Sequence, residues 1–132
     1  MTGRDTREIT PATILVVDDE NTIRNLYRRW LTGAGYETLE AAGGKEALEI
    51  FSRDPQGIDL VVLDMIMPDI SGFHTFELIR ARRADARVLL CSGYRIDRQA
   101  GIILEAGAVG FIQKPFGRET LLEAVGHALG SR

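Results

Sequence analysis

Three carboxylates in a row, Asp18-Asp19-Glu20, follow directly on an apolar run, Ile14-Leu15-Val16-Val17. Like charges this close cost free energy unless something positive sits among them. Other reactive groups stand in the same relation to other apolar runs. Asp64 closes Leu60-Val61-Val62-Leu63, Ser92 follows Val88-Leu89-Leu90-Cys91, and Lys114 follows Phe111-Ile112-Gln113. Clustered carboxylates suit a hard divalent cation. Magnesium takes oxygen ligands, keeps several waters and is commonly held by one or two carboxylates beside a phosphate. Lys114 offers a positive charge with three donors for phosphoryl oxygens, and Ser92 offers a hydroxyl donor. Asp64 has the chemistry of a carboxylate nucleophile toward phosphorus. Metal and ammonium would offset charge on the moving group.

Taken singly, each residue has a plainer reading: an acid after a strand is most often a helix N-cap. The elements give the combination its weight. Five units recur, each an apolar strand followed by a segment of helical period, with strands expected from near Thr13, Tyr36, Ile58, Arg87 and Val109. Ile14–Val17, Leu60–Leu63 and Val88–Cys91 are continuous apolar runs, as in parallel strands covered on both faces. Tyr36–Glu40 alternates, as in a half-exposed edge strand. Stripes at 3.6-residue spacing mark the helices, the first being Ile23, Leu26, Tyr27, Trp30 and Leu31. Alternating strands and helices predict an α/β fold, a parallel sheet with helices on both faces. Right-handed crossovers then bring every strand's C-terminal end to one edge, the edge where open α/β sheets bind ligands. Acids, a hydroxyl and an ammonium converge there from four strands. The second strand ends in Ala41-Ala42 and brings no functional group.

Composition bounds the rest. The 132 residues suit one domain able to bury a core without staples. Hydrophobic residues make up 45% and charged residues 27%, as in a globular protein. With 16 basic and 19 acidic side chains the net charge is −3, which gives no general reason to expect nucleic acid or an anionic membrane as a partner. A single cysteine, Cys91, excludes an intrachain disulfide and fits a reducing, cytoplasmic setting. No apolar run approaches the roughly 18–20 residues that span a bilayer. The start, MTGRDTREIT, has no apolar core and is not read as a secretory signal. The expected division is a polar tail over residues 1–11 and one domain over residues 12–130.

The motifs "VVDDE", "VVLDMIMPDISG", "CSGY" and "GFIQKPF" resemble, over about Ala12 to Leu129, the receiver domain of two-component response regulators. The resemblance implies a flavodoxin-like (βα)5 fold, doubly wound, with strand order 2-1-3-4-5. It implies that Asp64 accepts a phosphoryl group from a histidine kinase or phosphotransfer protein. It makes Asp19 a direct Mg2+ ligand, Asp18 a ligand through metal-bound water, and Asp64 and the Ile66 backbone carbonyl the remaining protein ligands. Ser92 and Lys114 would bind the transferred group, and the Lys114–Pro115 peptide would be cis. Ser92 would be drawn toward the phosphoryl group, Phe111 would turn inward, and the face of the fourth helix, fifth strand and fifth helix would change for an output partner. Many family members carry tyrosine at the Phe111 position. Phenylalanine cannot donate a hydrogen bond, so this switch would work by packing. Ile66 and Tyr94 would flank the site and control water access. The protein would be a monomer or a phosphorylation-linked dimer, promoting its own phosphorylation and dephosphorylation without being a turnover enzyme. The chain could be a stand-alone receiver or one cut from a hybrid kinase or larger regulator.

Three rivals fit less well. A haloacid dehalogenase-type phosphohydrolase needs a second acid two residues after its aspartate nucleophile, where this chain has Ile66. A flavin-binding domain needs a hydroxyl- and glycine-rich loop after the first strand, where Asp18-Asp19-Glu20 would repel phosphate. A receiver-like interaction module that is never phosphorylated would have no use for the full set of site residues. Elsewhere, His74 and His127 read as helix-surface residues. Arg80, Arg82, Arg83 and Arg87 read as a solvated helix end, where positive charge is favourable. Gly43-Gly44 reads as the beginning of a helix, because no Lys-Ser or Lys-Thr pair follows to make a phosphate loop.

Overall fold

A computed structural model describes residues 10–93 and 98–130. Strand and helix alternate along them: β1 (Thr13–Val17), α1 (Asn21–Gly33), β2 (Glu37–Ala41), α2 (Gly44–Arg53), β3 (Leu60–Asp64), α3 (Gly72–Arg82), β4 (Val88–Ser92), α4 (Arg98–Glu105), β5 (Gly110–Gln113) and α5 (Arg118–Gly130). A single 3-10 turn at Pro55–Gly57 separates α2 from β3. The strands form one sheet in the order β2-β1-β3-β4-β5, every pair parallel. This is the doubly wound 2-1-3-4-5 arrangement expected above.

Period-2 alternation splits the strand side chains between two core layers. Leu15, Val17, Val61, Leu63, Val88 and Leu90 face α2, α3 and α4 and pack on Phe51, Phe76, Ile79 and Ile103. Ile14, Val16, Leu60, Val62, Leu89 and Cys91 face α1 and α5 and pack on Tyr27, Leu31, Leu121 and Val125. β1, β3 and β4 are covered on both faces, which is why they read as unbroken apolar runs. β2 lies at an edge, and its alternate residues are exposed. Its Tyr36 precedes the strand proper, and β3 opens two residues later than Ile58. Such end residues belong to the connections, whose ladder bonds are incomplete.

Helix ends follow local chemistry. After α1, Gly35 takes φ +99°, a left-handed angle that glycine tolerates cheaply. Ser71 caps α3 by accepting from the His74 N–H at 3.1 Å. The arginines after α3 are more engaged than a solvated helix end. Arg80 donates to the carbonyls of Ala86, Ala106 and Gly107. Arg83 donates to those of Pro55 and Ile58. Carbonyls left over at the end of α4 need donors, and Arg80 reaches them from a neighbouring helix. No helix of the described residues is long and apolar enough to cross a membrane.

Candidate functional site

Register brings the reactive groups together. Val17 pairs with both Ala41 and Leu63, so the chain leaves β1 level with the end of β3. Asp64 pairs with Cys91, and Ser92 with Gln113, so β4 and β5 end at the same edge. Asp18, Asp19 and Asp64 each offer a carboxylate oxygen, and these oxygens all lie within 4.8 Å of one another. Asp18 and Asp64 are buried, at 1% and 7% exposure, whereas Asp19 faces solvent. Lys114 Nζ lies 2.7 Å from Asp18 Oδ2 and 3.5 Å from Asp64 Oδ2. The Lys114–Pro115 peptide is cis, and the Lys114 N–H donates to the Ser92 carbonyl at 2.7 Å. Ser92 itself is buried.

Two buried acids, Asp18 and Asp64, share one ammonium, Lys114. Burial raises the Asp64 carboxyl to about 6. Lys114 opposes the rise, the Asp18 charge adds to it, and the Ile66 N–H, donating to the carboxylate, opposes it. Burial also works against the Lys114 charge, but its hydrogen bond to Asp18 and the charges of Asp64 and Asp18 outweigh that and hold its pKa above the ordinary value. A carboxyl that stays protonated near pH 6 beside a lysine lacks enough positive charge. The donor set is all hard oxygen and partly open to water. Those properties fit Mg2+, which binds through one or two carboxylates and keeps waters.

Other positions fall into place around this group. The Ile66 side chain is exposed, with 57% of its surface accessible. Phe111 is half-buried and packs against the layer under α2, α3 and α4. Tyr94 lies outside the described residues. His74 and His127 are exposed on α3 and α5.

Two residues that pattern reading passed over hold the site's loops. Arg24 stands off the apolar stripe of α1, yet its Nη1 donates to the Asp18 carbonyl at 2.7 Å and its Nε to Glu40 Oε1 at 3.1 Å. Asp69, in the β3–α3 loop, accepts from the backbone N–H groups of Gly44, Lys45 and Ile70 at 3.1, 3.0 and 2.7 Å. A signal for Asp69 existed: Gly43 and Gly44 have no side chain with which to cap α2, so an acceptor must come from elsewhere.

A parallel 2-1-3-4-5 sheet with three acids and a lysine at its carboxyl edge defines a class, and comparison with known proteins agrees. The family model for the response regulator receiver domain matches residues 14–126, and the chain belongs to that family. It is similar to the sensor kinase CckA of Brucella abortus, 36% identical over 114 residues, which are 86% of this chain and 12% of that protein. A response regulator receiver domain from Clostridium thermocellum superposes with a TM-score of 0.86 at 32% identity, covering 91% of this chain and 95% of that one. The receiver domain of the hybrid histidine kinase CckA gives a TM-score of 0.77 at 37% identity, covering 89% and 99%. The chain spans less than half the length of the curated relatives it matches, such as 48% of the response regulator MprA of Mycolicibacterium vanbaalenii.

Proposed function

We propose that the protein takes a phosphoryl group on Asp64 from the phosphohistidine of a histidine kinase or phosphotransfer protein and passes the signal on by a change of surface. The observation that carries this reading is the three-carboxylate cluster with Lys114 set between Asp18 and Asp64. In the transfer, a carboxylate oxygen of Asp64 attacks phosphorus, the P–N bond to the donor imidazole breaks, and the imidazole keeps the electron pair and is protonated. Asp19, Asp64 and the Ile66 carbonyl would hold Mg2+ directly, with Asp18 helping through water, and the ion when bound would supply positive charge to the phosphoryl oxygens. Lys114 stays charged throughout and offers its donors to the same oxygens, and Ser92 offers its hydroxyl. The reaction ends in hydrolysis of the protein's own acyl phosphate rather than in turnover of a free substrate.

A phosphoryl group adds about −1.5 to −2 charge at pH 7, enough to bias a two-state element nearby. Ser92 moves toward it, and Phe111, half-buried and without a hydroxyl, repacks inward. The α4-β5-α5 face then differs for an output partner. The protein works as a monomer or a phosphorylation-linked dimer. No nucleic acid or membrane enters this reading, and the buried thiol of Cys91 is compatible with the reducing cytoplasm.

The test is chemical. Incubation with a small acyl phosphate and Mg2+ should give a phosphoryl adduct by intact mass, absent in Asp64→Asn and absent when the metal is chelated. No adduct, where a control receiver is labelled, would sink the proposal.

A further inference from the structure

The β3–α3 loop runs from Asp64 to Gly72 without secondary structure of its own, and it carries Ile66, whose backbone carbonyl is assigned to the metal. One end is fixed: the Met65 N–H donates to the Cys91 carbonyl, and the Met65 carbonyl accepts from the Gly72 N–H, both at 2.9 Å. Midway, the Met67 side chain is buried in the core. Beyond it the loop rests on the beginning of α2. That helix has no side-chain cap of its own, since its N-cap is Gly43. Asp69 supplies the missing acceptor from 24 and 25 residues along the chain. Oδ2 takes the Lys45 N–H, while Oδ1 takes the N–H groups of Gly44 and Ile70. Backbone donors stabilise the charged form, led by Lys45, and the Asp69 carboxyl lies below its ordinary pKa.

The packing is too close for anything larger than glycine. A Cβ on Gly43 would lie 2.7 Å from Asp69 Oδ2. One on Gly44 would collide with Thr75 Oγ1 and Ile70 Cγ1. Glycines at 43 and 44 therefore let the loop sit directly on the helix terminus. α2 is also joined to the other half of the acid site, because the Asp18 N–H donates to the carbonyl of Ala41, three residues before the helix.

We infer that Asp69 is a positioning residue for the metal site. By capping α2 in trans it fixes the β3–α3 loop, and so the direction of the Ile66 carbonyl, before Mg2+ arrives. Asp69 does not itself bind the metal. The inference rests on the receiver reading above, because it needs Mg2+ to be held partly by Ile66.

Calorimetric titration of the protein with Mg2+ alone at pH 7 tests it, with unfolding by urea measured on every variant. Asp69→Ala should bind Mg2+ about tenfold more weakly, the low end of what outer-shell substitutions do to metal sites. Asp69→Asn keeps the Oδ1 that takes the Gly44 and Ile70 N–H groups, so it should recover most of the loss. Glu46→Ala removes a different bond at the same helix terminus, Glu46 Oε1 with the Ala42 N–H, and should leave affinity within about twofold of the parent. Unchanged affinity in Asp69→Ala overturns the inference. So does equal weakening in Glu46→Ala, which would mean that any loosening of α2 suffices. So does a failure of Asn to recover affinity, which would make charge the cause. If the unaltered protein binds no Mg2+, the metal reading falls and this inference falls with it; binding that ignores Asp69 removes the inference alone.

Discussion

Asp64 shows at single-residue scale what the site costs the fold. Its carboxyl rises from 3.8 to about 6, chiefly through burial. Between those values the native protein holds a proton that the unfolded chain has released. Stability therefore falls as pH rises through about 6, and the penalty is complete at neutral pH. About two pH units correspond to about 2–3 kcal/mol. Asp64→Asn, measured by urea unfolding in the presence of a chelator, should be more stable than the parent by about that amount at pH 7. The gain should shrink steadily below pH 6 and vanish by about pH 3, where Asp64 is protonated in both states. A variant that is no more stable at pH 7 would mean that Lys114 already compensates the charge. Asp18, Asp64 and Ser92 were legible in the sequence as candidates because each directly follows an apolar run, Asp19 because it extends the acidic run, and Lys114 because it falls just past Phe111-Ile112. Arg24 and Asp69 were not. Their partners are backbone groups elsewhere in the chain, and a backbone group leaves no mark in the order of side chains.

Helices and strands were legible where one face is apolar, and less so where a contact between elements decides the residue. Gly72 illustrates the difference. It ends the "VVLDMIMPDISG" motif and opens α3; its N–H donates to the Met65 carbonyl, and a Cβ there would lie 2.6 Å from Met65 Cα and 2.7 Å from the Asp64 carbonyl oxygen. Both are backbone atoms at the end of β3 and have little freedom to move. Gly126 in α5 has nothing within 4 Å of the same ideal position. Two glycine-to-alanine changes should therefore have opposite signs. Gly72→Ala should lose about 2–3 kcal/mol through overpacking, and Gly126→Ala should gain about 0.5–1 kcal/mol from helix propensity. Denaturant midpoints with unchanged slopes would report both. A neutral Gly72→Ala would show that the β3–α3 loop yields easily, contrary to its three anchors at Met65, Met67 and Asp69. Arg80 belongs to the same lesson: an arginine near the end of α3 looks solvated until the fold brings the terminal carbonyls of α4 to it.

At the scale of the whole molecule, folding assembles charges that the unfolded chain keeps apart. Topology does this, since β1 and β3 are neighbours in the sheet although 46 residues separate Asp18 from Asp64, and β5 returns Lys114 from 96 residues beyond Asp18. One ammonium against three carboxylates leaves the assembly short of positive charge, so metal binding and stability must be linked. A ligand that binds only the folded state stabilises it by RT ln(1 + [L]/Kd), about 2.7 kcal/mol at a hundred times Kd. Metal also competes with protons for the same oxygens. With Asp64 near 6, about nine molecules in ten hold that proton at pH 5, which weakens apparent Mg2+ affinity about tenfold. At a fixed, near-saturating Mg2+ concentration, the stabilisation should then be about 1.4 kcal/mol smaller at pH 5 than at pH 7. Thermal melts with and without Mg2+ at the two pH values measure this directly. In Asp64→Asn any residual Mg2+ stabilisation should be the same at both, because the carboxyl that takes the competing proton is gone. An Mg2+ effect equal at pH 5 and pH 7 in the unaltered protein would separate the metal from Asp64 and overturn the proposal that the two share a site.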